Sequence, residues 1–237
     1  MPLAGVVFAV LMVLSAIAFP MPPGGDAAAA AHPSWLTTHH DAVIAQSYLR
    51  GMAAVALLVL IAALAAAVRR VRGSSVMADA VLVAGALEAG LLLLAQGVGL
   101  ATALLARDGA TADTVRALAP LQDACLDIAA LPGVVVFGAA GLAAIRTKVL
   151  PRWLGVLSLV GAPVALTDAL SYDGGPLASI GLLGLLYSIG WALLVGVRLP
   201  LQPVVDDNTL QLPDQDRTMG NQPSNGCGTG ALVTDQA

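Results

Sequence analysis

The chain has 237 residues, of which 58% are hydrophobic and only 11% charged, with a mean hydropathy of +0.84. A soluble domain carries about a quarter charged residues, so this composition cannot cover a water-facing surface, and lipid is the expected solvent for most of the chain. The net charge of −4, without clustered basic residues, points away from nucleic acid, and no Cys/His spacing of zinc type occurs.

A hydrocarbon core about 30 Å thick needs roughly 20 apolar residues per crossing. Residues 3–19, 52–68, 77–105, 128–145, 153–170 and 177–199 form six such runs. They are continuous, without the alternation of a barrel strand. The expected fold is therefore all-α: a polytopic membrane protein built as a bundle of six transmembrane helices. With their polar flanks the helices are expected at 3–19, 39–68, 77–105, 120–145, 153–170 and 177–199.

The first run imitates a signal peptide, with Ala16-Ile17-Ala18 as a cleavage site. No Lys or Arg precedes Arg50, however, so the basic leader region is missing, and the run is expected to stay as a helix. A Pro/Gly/Ala linker follows over 21–34. Thr38, with Asp41 three residues later, resembles a capping box and starts the second helix. At 1.5 Å per residue that helix spans about 45 Å, long enough to hold His39, His40 and Asp41 outside the bilayer with Arg50 near its surface.

Arg69, Arg70 and Arg72 close the second helix, and Gly73-Ser74-Ser75 turns the chain into the third, which holds the sole glutamate, Glu88. Pro120 suits the first turn of the fourth helix, while Pro132 and Pro163 should kink the fourth and fifth. Arg146, Lys148 and Arg152 flank Pro151 in a very short connection. Residues 171–176 read as a tight turn, and Pro200 as the stop of the sixth helix. Residues 201–237, rich in Asp, Gln, Asn, Pro and Gly, lack the apolar content needed to offset ordering entropy; a disordered cytoplasmic tail is expected.

Arg69, Arg70, Arg72, Arg146, Lys148, Arg152, Arg198 and Arg217 fall on one side of this topology, against Arg50, Arg107 and Arg116 on the other. The excess of basic residues in cytoplasmic loops puts both termini inside. Asp26, Asp41, Asp108, Asp113, Asp123, Asp127, Asp168 and Asp173 then give the outer face a negative character. Cys125 and Cys227 lie on opposite sides and cannot pair within one chain. Trp153, Tyr172 and Trp35 are placed as interface anchors. Tyr187 and Trp191 lie deeper than an aromatic belt.

The Leu49-Arg50 entry to the second helix, its exit at Arg69-Arg70, and Leu150-Pro151-Arg152-Trp153-Leu154-Gly155-Val156-Leu157 at the start of the fifth resemble a family of bacterial six-helix membrane proteins. That family is catalogued only as a domain of unknown function. The resemblance covers about residues 3–199. It implies a multi-pass protein of the bacterial inner membrane, and it carries no catalytic residue or cofactor to transfer.

Few polar groups are left to carry chemistry. A charge at mid-bilayer costs about 2.5–3.5 kcal/mol on insertion scales, so Glu88 must face the bundle and be paired or protonated. At 100° per residue, Ala84, Ala95, Gly99 and Thr102 share its face within about 40° and Gln96 lies about 80° round. Such a small-residue face permits close helix approach. The reading is either a proton or cation site or a carboxyl that only sets packing. Asp123 and Asp127 share a face at the outer end of the fourth helix, with Asp168 and Arg50 at similar depth. Together they are expected as an ion-pair cluster, structural or forming a cation-attracting vestibule.

His39, His40 and Asp41, with His32 upstream, are the weak candidates for a metal. Adjacent histidines point about 100° apart on a helix, and the i, i+4 spacing of hydrolytic zinc sites is absent. No Gly-x-Ser-x-Gly elbow occurs. Ser158, Ser179 and Ser188 sit in apolar helices, where serines bond back to the backbone or serve helix contacts. Three functions are therefore carried forward. The first is a non-enzymatic structural, regulatory or partner-binding protein, in contact with lipid and with a second copy or another membrane protein. The second is a small proton- or cation-coupled carrier or channel. The third is a membrane-embedded hydrolase or transferase using His39, His40 and Asp41 with Asp123 or Asp127.

Overall fold

The computed structural model describes residues 3–19, 28–71, 75–170 and 178–199, with side chains described from Ser34 in the second segment and from Leu183 in the last. These residues form six helices and no strand: α1 (Leu3–Ile17), α2 (Ala28–Arg69), α3 (Ser75–Arg107), α4 (Ala112–Thr147), α5 (Arg152–Ala169) and α6 (Ala178–Arg198). The expected tail at 201–237, Cys227, Tyr172 and the side chains of His32 and Ser179 lie outside the described residues.

Each helix packs on the next in chain order, and α6 returns to α1, so the six close a ring, with α2 also touching α4. Three stretches are long and apolar enough to cross a membrane, Ser34–Arg69, Ser75–Arg107 and Ala112–Thr147, while Leu3–Ile17 and Leu183–Arg198 are shorter apolar helices. The helices turn large aliphatic side chains outward, among them Val83, Leu87, Leu94, Ile128, Val135 and Val160. Water-soluble proteins rarely expose contiguous apolar surface on this scale.

Two expected boundaries move. The second helix begins at Ala28, inside the expected linker, because Ala27–Ala31 is a run of the strongest helix former. The capping box does not form. Thr37 and Thr38 donate back to the Ser34 carbonyl at 2.8 and 3.1 Å, and the break is a kink at His39 (φ −117°, ψ 17°). The fourth helix begins at Ala112, not at Pro120, because Thr111 caps it by accepting from the Thr114 N–H. Pro120 is tolerated more than two turns inside because the carbonyl it leaves unbonded, that of Arg116, lies on an exposed stretch that water reaches.

The two ends of the bundle differ in character. At the basic end Arg69 pairs with Asp79, Lys148 closes α4 in the left-handed conformation with its N–H on the Ala144 carbonyl, and the Arg198 guanidinium lies 5.9 Å from the Trp153 ring centre. At the far end α2, α3 and α4 overrun the shorter helices. At about 1.5 Å per residue, α3 and α4 reach about 50 and 54 Å, well beyond a hydrocarbon core. There Leu36, Ala106 and Val115 form a second small core with Trp35 and Val43 against it.

The main core lies towards the basic end. Leu60, Leu64, Val68, Val81, Leu154 and Val195 are fully buried there. Helices meet closely at Gly141 and Gly155, where a β-carbon on Gly141 would stand 2.9 Å from the Gly155 carbonyl oxygen, and at Gly5, where it would run into the Ala192 carbonyl oxygen. Close van der Waals contact of this kind is what holds helices together where the surroundings are as apolar as the side chains and give no hydrophobic drive between them.

Candidate functional site: a cavity around Glu88

Above that packed half the ring is hollow. A cavity of about 510 Å³ runs between the helices, and all six contribute to its lining. Buried Phe8, Ile61, Phe137 and Trp191 border its floor, while Ile17, Arg50 and Asp168 border the part nearer the far end. The walls are largely apolar, with a few polar groups set into them, the usual make-up of a small-molecule site.

Glu88 opens into this cavity from α3. The face expected to surround it is buried: Ala84, Ala95, Gly99 and Thr102 all lie inside the bundle. Glu88 itself is deep in the protein yet only half-buried by surface, because its carboxyl borders the void and not the outside. Across from it, a β-carbon on Gly133 of α4 would stand 3.5 Å from Oε1 and 3.7 Å from Oε2. Glycine there leaves room for the carboxyl and offers it no polar side chain. Among the described residues no donor and no cation contacts the Glu88 carboxylate. Gln96, buried, lines the same cavity, eight residues or about 12 Å further along α3.

The expected cluster of Arg50 with three aspartates does not assemble as ion pairs around the arginine. Arg50 Nε donates to Ser15 Oγ at 3.4 Å, and one turn earlier Gln46 Nε2 donates to the Ser15 carbonyl at 3.0 Å. The reason is topological: α1 packs against α2 and covers the face that Arg50 presents. Arg50 and Asp168 nevertheless line one cavity. Asp168 rests over Gly184, where a β-carbon would approach its Cγ to 3.0 Å, and Asp127 acts on it electrostatically. Asp123 is exposed on α4 and stands outside the lining.

The deep aromatic residues find their explanation here. Phe137 meets Tyr187 and Trp191 edge-on, with ring centres 5.8 and 4.9 Å apart. Trp191 Nε1 donates to Ser158 Oγ at 2.7 Å, and Ser158 in turn donates to the Leu154 carbonyl at 2.8 Å. The Tyr187 hydroxyl donates to the Leu157 carbonyl. Each polar tip is met inside the bundle, so the rings need no membrane surface. Ser188 borders the cavity.

His39 stacks on Trp35 (4.8 Å, 18°) with Nδ1 3.0 Å from the Trp35 carbonyl oxygen, and His40 Nε2 lies 3.3 Å from Asp41 Oδ1. Both histidines are engaged locally at the kink, and among the described residues no three His, Cys, Asp or Glu side chains converge as metal ligands. Cys125 is buried and free. Sequence reasoning missed Ser15 and Gln46, which announce themselves only as lone polar residues in apolar helices, and it reads Gly133 as one of the glycines that thin the fourth helix for packing, without its place beside Glu88.

No protein-family model, curated protein or solved structure matches this chain.

Proposed function

We propose that this is a six-span membrane protein with both termini on the cytoplasmic side, acting as a small proton- or cation-coupled carrier or channel through Glu88. The observation that carries this reading is the cavity that reaches a carboxylate with no partner among the described residues. A carboxyl kept only for packing would hydrogen-bond a neighbouring helix; this one faces a glycine and open space. The sidedness is supported by Arg69, Arg70, Arg146, Lys148, Arg152 and Arg198 gathering at one end of the bundle. It leaves Arg50 and Asp168 on the side of the cavity nearer the outer surface.

The test is proton flux into liposomes holding a trapped pH dye. Glu88→Gln should abolish flux while leaving elution from a sizing column unchanged. Unaltered flux in that variant would return Glu88 to a packing role, and flux of the parent no greater than that of empty liposomes would return the protein to a structural one. Sidedness is read by single cysteines at positions 71, 110 and 147 in a chain with Cys125 and Cys227 replaced. Only position 110 should react with an impermeant maleimide on intact cells.

A further inference from the structure

We infer that the cavity takes a lipophilic organic monocation, an amine or onium group on an apolar body, which occupies the Glu88 carboxylate in exchange for a proton. The inference rests on the carrier reading and names its substrate class.

Three features argue it. The first is charge. An unpaired carboxylate in a low-dielectric interior is relieved only by a proton or a cation. Among the described residues, the charged or titratable groups sharing the cavity with Glu88 are Arg50 from α2, Asp168 from α5 and Tyr187 from α6; α1 and α4 add none to that lining. An entering anion would meet the Glu88 carboxylate, and the guanidinium among the described lining residues, Arg50, already contacts Ser15.

The second feature is the poverty of oxygen around Glu88. Hard divalent cations take about six to eight oxygen ligands. Here one carboxylate faces a glycine, and the next cavity amide along α3, Gln96, is two turns away. Apolar walls cannot repay the loss of a tightly held hydration shell, whereas an alkylated or arylated cation has little to lose. The volume, about 510 Å³, also suits a drug-sized body better than a bare ion.

The third is the aromatic floor. Phe137 lies four residues, one turn or about 6 Å, past Gly133 on the same face of α4. With Tyr187 and Trp191 it forms a continuous ring cluster whose polar tips are already bonded. Ring faces within about 6 Å of a cation attract it. A cation at Glu88 therefore has its counter-ion at one side and ring surface below. Proton and ligand compete for one carboxylate, so binding the cation releases one proton to bulk water.

The experiment uses the full chain in detergent with two isosteric probes, tetraphenylphosphonium and tetraphenylborate. The phosphonium should bind saturably, one per chain, releasing a proton in weak buffer, and its affinity should fall as pH is lowered. Glu88→Gln should weaken it at least tenfold at unchanged melting temperature, and Phe137→Leu about threefold. Equal binding of phosphonium by Glu88→Gln, or tighter binding of borate lost in Arg50→Gln, would overturn the inference. If neither probe binds while proton flux still depends on Glu88, the cation class is wrong and the carrier stands; if flux is also independent of Glu88, both fall.

Discussion

The two halves of the bundle are made by the same helices and nearly the same apolar residues, yet one is solid and the other hollow. Towards the basic end, Leu64, Val68, Val81, Leu154 and Val195 fill the interior, and Gly141 and Gly155 bring α4 and α5 into backbone contact. Towards the far end the interior is bordered by Gly133, Gly184, Ala129 and Ala165, with Glu88 and Asp168 lying over the two glycines. Small residues serve opposite ends in the two places. At Gly141 a neighbouring backbone moves in and the helices are pulled together; at Gly133 and Gly184 a carboxylate takes the place beside the glycine, at the edge of the cavity. Composition alone does not separate a packing glycine from a cavity glycine.

That contrast can be attacked from both sides. The largest effect is expected from filling the hollow half: Gly133→Leu should eliminate Glu88-dependent flux while the melting temperature stays near the parent's. Gly133→Ala, whose methyl sits at an ordinary 3.5 Å from Glu88 Oε1, should keep both. Gly141→Leu intrudes on the solid half, where even a methyl would stand 2.8 Å from Leu159 Cγ. Overpacking of this kind costs about 1–3 kcal/mol, readable as a lowered melting temperature in detergent; an unchanged value would mean the halves do not differ in packing.

Trp191→Phe should keep the edge contact with Phe137 and lose the bond to Ser158, which still donates to Leu154. A loss of about 1 kcal/mol is expected, the net value of one such bond, and the same melting experiment reads it. The smallest effect belongs to Asp79→Asn. The Arg69–Asp79 pair has both side chains at least half exposed, where ion pairs contribute about 0–1 kcal/mol. Any loss should vanish as salt is raised, because screening acts on exposed charges first.

Several features were legible before any coordinates. The apolar runs predict the helices, and α3, α5 and α6 begin and end within two residues of their expected bounds. The buried face around Glu88 follows from 100° arithmetic. Local reasoning misplaced the starts of α2 and α4. A polyalanine run is a helix former that also looks like a linker, and the cap at Thr111 outweighs the start that Pro120 suggests. The partner of Arg50 was not legible at all. Which helix covers a given face depends on α6 closing back onto α1 and on α1 covering α2, and no spacing within α2 carries that information.

By itself the chain's sequence determined how apolar its helices are, where most of them begin and end, and that a single glutamate stands within them. These depend on hydropathy and on angles between neighbours in one helix. Only the tertiary structure decided that Glu88 faces a glycine beside a cavity and that Arg50 meets Ser15 of α1. Those outcomes depend on which surfaces meet when six similar helices close into a ring, and that choice is made by fit between side chains far apart in the chain.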